Sequence, residues 1–108
     1  MLDIVSSERI EDLAERIARA FRPERIVLFG SYASGRADPG SDVDLLVVMD
    51  DEGRPLAKAA EIGAACATDF PVDIVVRSAA EIERRVGLGD WFLRGALAEG
   101  RVIYDATR

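Results

Sequence analysis

The sequence predicts an α/β (α+β) fold in which helices pack on a mixed sheet of three or four strands, in the order α-β-α-β-α-β-α-α-β. Three observations predict it. Ile10, Leu13, Ala14, Ile17, Ala18 and Phe21 recur at helical spacing. Three short runs rich in β-branched and aliphatic residues follow: Arg25-Ile-Val-Leu-Phe29, Val43-Asp-Leu-Leu-Val-Val-Met49 and Pro71-Val-Asp-Ile-Val-Val76. Stretches with helix caps or high alanine content alternate with these runs.

Taken in order, Ser6 or Ser7 is placed to cap the first helix, whose charged face carries Glu8, Glu11, Asp12, Glu15 and Arg19, and Pro23 closes it. The strand from Arg25 to Phe29 ends at Gly30. A loop with Pro39 and Gly40 leads to the second, central strand, Val43 to Met49. Pro55 suits the first turn of a helix running to Ala67. The third strand is Pro71 to Val76. Ser78 followed by Glu81 has capping-box spacing and opens another helix. A further helix runs from Trp91 to Glu99 and stops at Gly100, and Val102 to Tyr104 adds an edge strand. Leu88, Trp91, Phe92 and Leu97 form an apolar stripe, read mainly as core packing and in part as a partner or homodimer surface.

A length of 108 residues fits one domain, 1–108, and leaves little room for a second. Hydrophobic residues at 49% and charged residues at 31% describe a globular chain. Cys66 is the only cysteine, so no intrachain disulfide forms, and among alanines it reads as a small buried hydrophobe. The chain has no histidine. That removes Ser-His-Asp and Cys-His catalysis and histidine-ligated zinc, and leaves oxygen ligands that suit magnesium or manganese. The apolar run from Val43 to Met49 is broken by Asp44 and is too short to span a bilayer. The N-terminus lacks the order of a signal peptide, so a cytoplasmic location without membrane attachment is expected. A formal charge of −6 opposes a direct grip on nucleic acid.

Three features converge on one chemistry. Gly30-Ser31, ending the first strand, allows a tight turn, close backbone approach and a hydroxyl donor to phosphate; alone, it is also an ordinary strand-ending turn. In Asp42-Val-Asp44, residues two apart on a strand point to the same face, and two adjacent carboxylates entering an apolar strand call for a cation. The alternative leaves Asp42 in the turn and only Asp44 on the strand. Asp73 lies among Val72, Ile74, Val75 and Val76, out of place on a buried strand. If that strand pairs beside the second one, Asp73 joins the other two. Three carboxylates suit two metal ions roughly 3.5–4 Å apart flanking a transferring phosphoryl group. The bland reading of Asp73 is an exposed edge position.

Gly30-Ser31, ten intervening residues, then Asp42-Val-Asp44 and an apolar strand resembles the signature of the DNA polymerase β-like nucleotidyltransferase superfamily. The segment FGSYASGRADPGSDVDLLVV looks most like its minimal members, the MNT proteins often encoded beside a HEPN-domain partner. The resemblance implies the polymerase β-like nucleotidyltransferase fold over nearly the whole chain. It implies that Gly30 and Ser31 contact nucleotide phosphates and that Asp42 and Asp44 are paired metal ligands. Asp73 would be the third carboxylate, completing the metal site and helping to deprotonate the attacking hydroxyl. One departure is Ser34, where many minimal members carry an arginine, two residues before Arg36.

The activity implied is Mg²⁺-dependent transfer of a nucleoside monophosphate, AMP from ATP, to a hydroxyl. Two Mg²⁺ ions are expected. By the same resemblance the acceptor is a tyrosine of a HEPN-type toxin, which makes this chain an antitoxin. Because so little chain remains for an acceptor pocket, a second protein or a second copy of this one is expected to supply that surface. Two other readings stay open: a catalytically silent module that neutralises a partner by contact, and a transferase acting on a small hydroxylated molecule.

Overall fold

The computed structural model describes residues 4–108. Nine elements follow one another: α1 (Ser7–Phe21), β1 (Arg25–Phe29), α2 (Ser31–Ser34), β2 (Val43–Val48), α3 (Pro55–Ala65), β3 (Val72–Arg77), α4 (Ala79–Gly87), α5 (Trp91–Glu99) and β4 (Arg101–Asp105). The observed order follows the expected string, with the single turn of α2 lying where the element-by-element reading places only a loop, and the sheet has four strands in the order β3-β2-β1-β4. Antiparallel pairs join β1 to β2 and to β4. The β2–β3 pair is parallel, with α3 as its crossover.

Local chemistry sets the boundaries. The Ser6 hydroxyl caps α1 by accepting from the Arg9 amide, and Arg22 ends the helix in a left-handed conformation (φ 51°) just before Pro23. Ser78 caps α4 through the Glu81 amide, and Asp90 caps α5 through the Leu93 amide. Helix α3 stops at Ala65, two residues short of the expected Ala67. Cys66 leaves helical geometry to enter the core, and the Thr68 hydroxyl donates to the Phe70 carbonyl (2.6 Å), turning the chain into β3. That strand is shifted by one residue from the expectation, to Val72–Arg77, because Pro71 has no amide to donate. The Pro71 carbonyl still accepts from Val43 N–H at 3.0 Å.

Side chains of the two central strands alternate between two cores. Ile26, Leu28, Val43, Leu45 and Val47 join Val76 in facing Leu13, Ala14 and Ile17 of α1 and Ile62 of α3. On the other face, Val27, Phe29, Leu46 and Val48 pack against Leu93 and Ala96 of α5, with Ile82 and Val86 of α4 beside them. Cys66 is buried in the first core, as expected. The C-terminal stripe is not core: Leu88 and Trp91 are exposed, Trp91 at 91%, and Phe92 and Leu97 are partly open to solvent. Leu93 and Ala96 form the buried row of α5, and of the stripe Phe92 still packs edge-on against Phe29. Among the described residues, no helix is long and apolar enough to cross a membrane.

Candidate active site

The five residues singled out from sequence lie at one end of the sheet. In the pairing register Phe29, the last residue of β1, stands opposite Asp44, and Asp44 stands opposite Asp73. Gly30 follows Phe29 directly. Its backbone has φ 73° and ψ −153°, a combination that favours glycine. A Cβ at this position would lie 2.3 Å from Oδ2 of Asp44. Glycine is therefore favoured by conformation, and a side chain here would also displace the Asp44 carboxylate packed against it.

The Gly30 carbonyl accepts from the Ala33 and Ser34 amides, both at 3.1 Å, and this starts the single turn of α2. Ser31, its first residue, is partly buried, and its carbonyl accepts from the Arg36 amide (2.9 Å) and the Ser34 hydroxyl (3.2 Å). The Ser34 side chain is thus spent on the turn, while Arg36 is exposed.

Asp42 is delivered by a turn that bonds to itself. The Gly40 amide donates to Asp38 (2.9 Å), the Asp38 amide donates to the Ser41 hydroxyl (3.0 Å), and the Ser41 amide donates to the Asp38 carbonyl (3.0 Å). Strand β2 begins at Val43, so Asp42 stands just before the strand rather than on it. Asp38 accepts the turn's hydrogen bonds, which leaves Asp42 exposed and Asp44 half-buried on either side of the fully buried Val43.

Asp73 sits on an edge strand and is exposed, so the expectation of a charge on a buried strand is corrected. Its place beside Asp44 comes from the parallel register. The Asp44 pKa is raised, first by loss of water around the carboxylate, then by the charge of Asp73, then by that of Asp42. All three carboxylates thus share one electrostatic neighbourhood, which a divalent cation would relieve. Among the described residues, no group of three acidic or thiol side chains is gathered into a finished metal cage. The donor set fits magnesium nonetheless, since that ion is commonly held by one or two carboxylates together with substrate phosphates.

Neither Asp51 nor Glu52 belongs to this site. Both follow the far end of β2, about 13 Å from Asp44 at ordinary strand rise. Asp51 accepts from the Gly53 amide (2.9 Å), and Glu52 pairs with Lys58 (3.1 Å), a buried lysine that sequence reasoning passed over. A cavity of about 370 Å³ between α1 and the α3–β3 turn is lined by Arg9, Asp12, Thr68 and Phe70 among others, and by none of the five site residues.

A family model for the nucleotidyltransferase domain matches residues 10–104. The chain belongs to this family, whose enzymes move a nucleotidyl group from a nucleoside triphosphate and generally use a divalent metal. Comparison with the curated proteins gives no match. Among solved structures, the chain is similar to a Sulfolobus solfataricus protein provisionally described as a nucleotidyltransferase, with a TM-score of 0.67 and 18% identity over 94% of this chain and 81% of that one. It is also similar to a toxin–antitoxin structure with AMP-PNP (TM-score 0.52, 23% identity, 89% of this chain and 73% of that one). A mutant of the toxin–antitoxin MntA–HpeT gives a TM-score of 0.56 at 20% identity, with the same coverage. At these identities the likeness is one of fold.

Proposed function

We propose that the chain transfers a nucleoside monophosphate, AMP from ATP, to a hydroxyl of a partner protein, with residues 1–108 acting as one catalytic unit in the cytoplasm. The observation that carries this reading is the pairing of Asp44 with Asp73 in register while Gly30 closes against the Asp44 carboxylate. Asp42 and Asp44 would hold Mg²⁺ with the triphosphate, and Asp73 would complete the set for a second ion. Bound there, the ions would supply charge neutralisation at the phosphates and would lower the pKa of the acceptor hydroxyl.

The chain's own residues supply the rest. Gly30 lets the backbone approach the phosphates, and the Ser31 hydroxyl donates to a phosphate oxygen. The acceptor oxygen attacks the α-phosphorus, the bond from that phosphorus to the bridging oxygen breaks, and pyrophosphate leaves. Asp73 accepts the hydroxyl proton.

For the acceptor we propose a tyrosine of a HEPN-type toxin, which gives this chain an antitoxin role. Two fold neighbours are toxin–antitoxin structures, one with AMP-PNP. The exposure of Gly30, Asp42 and Asp73 also fits an acceptor brought by another molecule. Incubation with α-labelled ATP and Mg²⁺, with the gene-neighbour protein and lysate as acceptors, tests the reading. Label on a protein tyrosine, lost in Asp42→Asn, is the expected result. No label with any of the four nucleotides, together with no thermal stabilisation by Mg²⁺–ATP, would point instead to a module acting by contact alone.

A further inference from the structure

The turn that carries Gly30 and Ser31 has little intrinsic reason to hold its shape. Helix α2 is a single turn of four residues without a side-chain cap at its start, flanked by Gly30 (φ 73°) and Gly35 (φ 77°). A nucleus of that length is unstable by itself. Most of its bonds are internal: the Ala33 and Ser34 amides to the Gly30 carbonyl, and the Arg36 amide and Ser34 hydroxyl to the Ser31 carbonyl.

One side-chain bond from residues 30–35 leaves the segment among the described residues. The Val5 amide donates to the phenolic oxygen of Tyr32 at 3.0 Å, across 27 positions of sequence. The Tyr32 ring is partly buried and packs against the core beneath α1, to which Val5 itself belongs. Tyr32 directly follows Ser31, so a rotation or lift of its ring moves the Gly30–Ser31 backbone.

From this we infer that Tyr32 is a positioning residue: its ring and hydroxyl tie the Gly30–Ser31 turn to the segment leading into α1 and hold it against Asp44 in the shape that receives the triphosphate. The inference rests on the function proposed above. Freed from this tie, the turn would occupy its binding shape for a smaller fraction of the time, and apparent nucleotide affinity would fall by that fraction.

The test is calorimetric titration of the whole chain with Mg²⁺–ATP, which needs no acceptor, on wild type, Tyr32→Phe and Val5→Pro. Tyr32→Phe keeps the ring and removes the acceptor oxygen, while Val5→Pro removes the donor from the other side. Each is expected to weaken binding about three- to ten-fold, the scale of one ordinary hydrogen bond. The double variant is expected to be no weaker than the worse single one, because both remove the same bond. If Tyr32→Phe lowers thermal stability but binds Mg²⁺–ATP as wild type does, Tyr32 merely pins the N-terminal segment and the inference falls while the proposed function stands. If wild type does not bind Mg²⁺–ATP, the proposed function falls and takes the inference with it.

Discussion

On the face covered by α1 and α3, Leu28, Val43, Leu45 and Val47 meet Leu13, Ile17 and Ile62 with almost no surface left open. On the opposite face Phe29, Leu46 and Val48 meet Leu93 and Ala96, and the apolar row of β2 gives way to Asp44. Phe29 is covered there by Phe92, edge-on at 5.4 Å, itself partly open to solvent. The same two strands thus build a closed core on one side and a shorter one, open at the end that carries Asp44, on the other. A carboxylate with a raised pKa on a central strand disfavours the unliganded fold. The thicker core opposite offsets that cost, so stability and chemistry are divided between the two faces of one sheet.

The largest expected effect separates these two roles. Asp44→Asn should lower nucleotide transfer by at least about a hundred-fold, since on the proposed function it removes one of the carboxylates that would hold the metal ion with the triphosphate. The same change should raise Tm by about 2–5 °C in the absence of metal, because it removes a charge that has lost water around it and then relieves the repulsion with Asp73 and Asp42. A label-transfer assay and a metal-free thermal melt measure the two halves, and a fall in Tm would contradict the division of roles.

Leu45 and Leu46 compare the faces directly. They are adjacent in β2, both fully buried, and point to opposite cores. Each change to alanine should cost about 2–5 kcal/mol in urea unfolding, with Leu45→Ala the more costly by about 1 kcal/mol because its surroundings are more completely enclosed. Equal costs would mean that the two cores are packed alike.

Smaller effects are expected at the open side. Trp91→Ala should change stability by no more than about 0.5 kcal/mol, given its 91% exposure. Phe92→Ala should cost at least about 1 kcal/mol through the lost contact with Phe29. Thermal melts of both variants, side by side, decide whether α5 anchors itself through Phe92.

The smallest effect lies on α4, where the guanidinium groups of Arg84 and then Arg85 hold Glu81 down to a pKa of about 2. A carboxylate depressed in this way contributes stability above its ordinary value of 4.5 and loses it as pH falls toward 2. Wild type should therefore exceed Glu81→Gln in Tm slightly at pH 7, and the gap should close between pH 4.5 and 2. A gap independent of pH would mean that the carboxylate charge contributes nothing.

Much of the molecule is written locally in the chain. The apolar spacing from Ile10 to Phe21, the caps at Ser6 and Ser78, and the continuous runs of β-branched and aliphatic residues in β1 and β2 determine those elements, because each depends on neighbours within a turn or two. The spacing of Gly30-Ser31 and Asp42-Val-Asp44 likewise marks the family without reference to a fold. Other features exist only once distant segments meet. By sequence Asp73 reads as a charge on a buried strand, yet its strand is an edge, and the parallel register with Asp44 is what brings the two together. The approach of the Asp44 carboxylate to Gly30, the Tyr32–Val5 bond and the burial of Lys58 beside Glu52 were likewise decided by tertiary structure. Periodicity fixes which way a side chain points, but which strand or loop it then faces depends on pairings made across the whole chain.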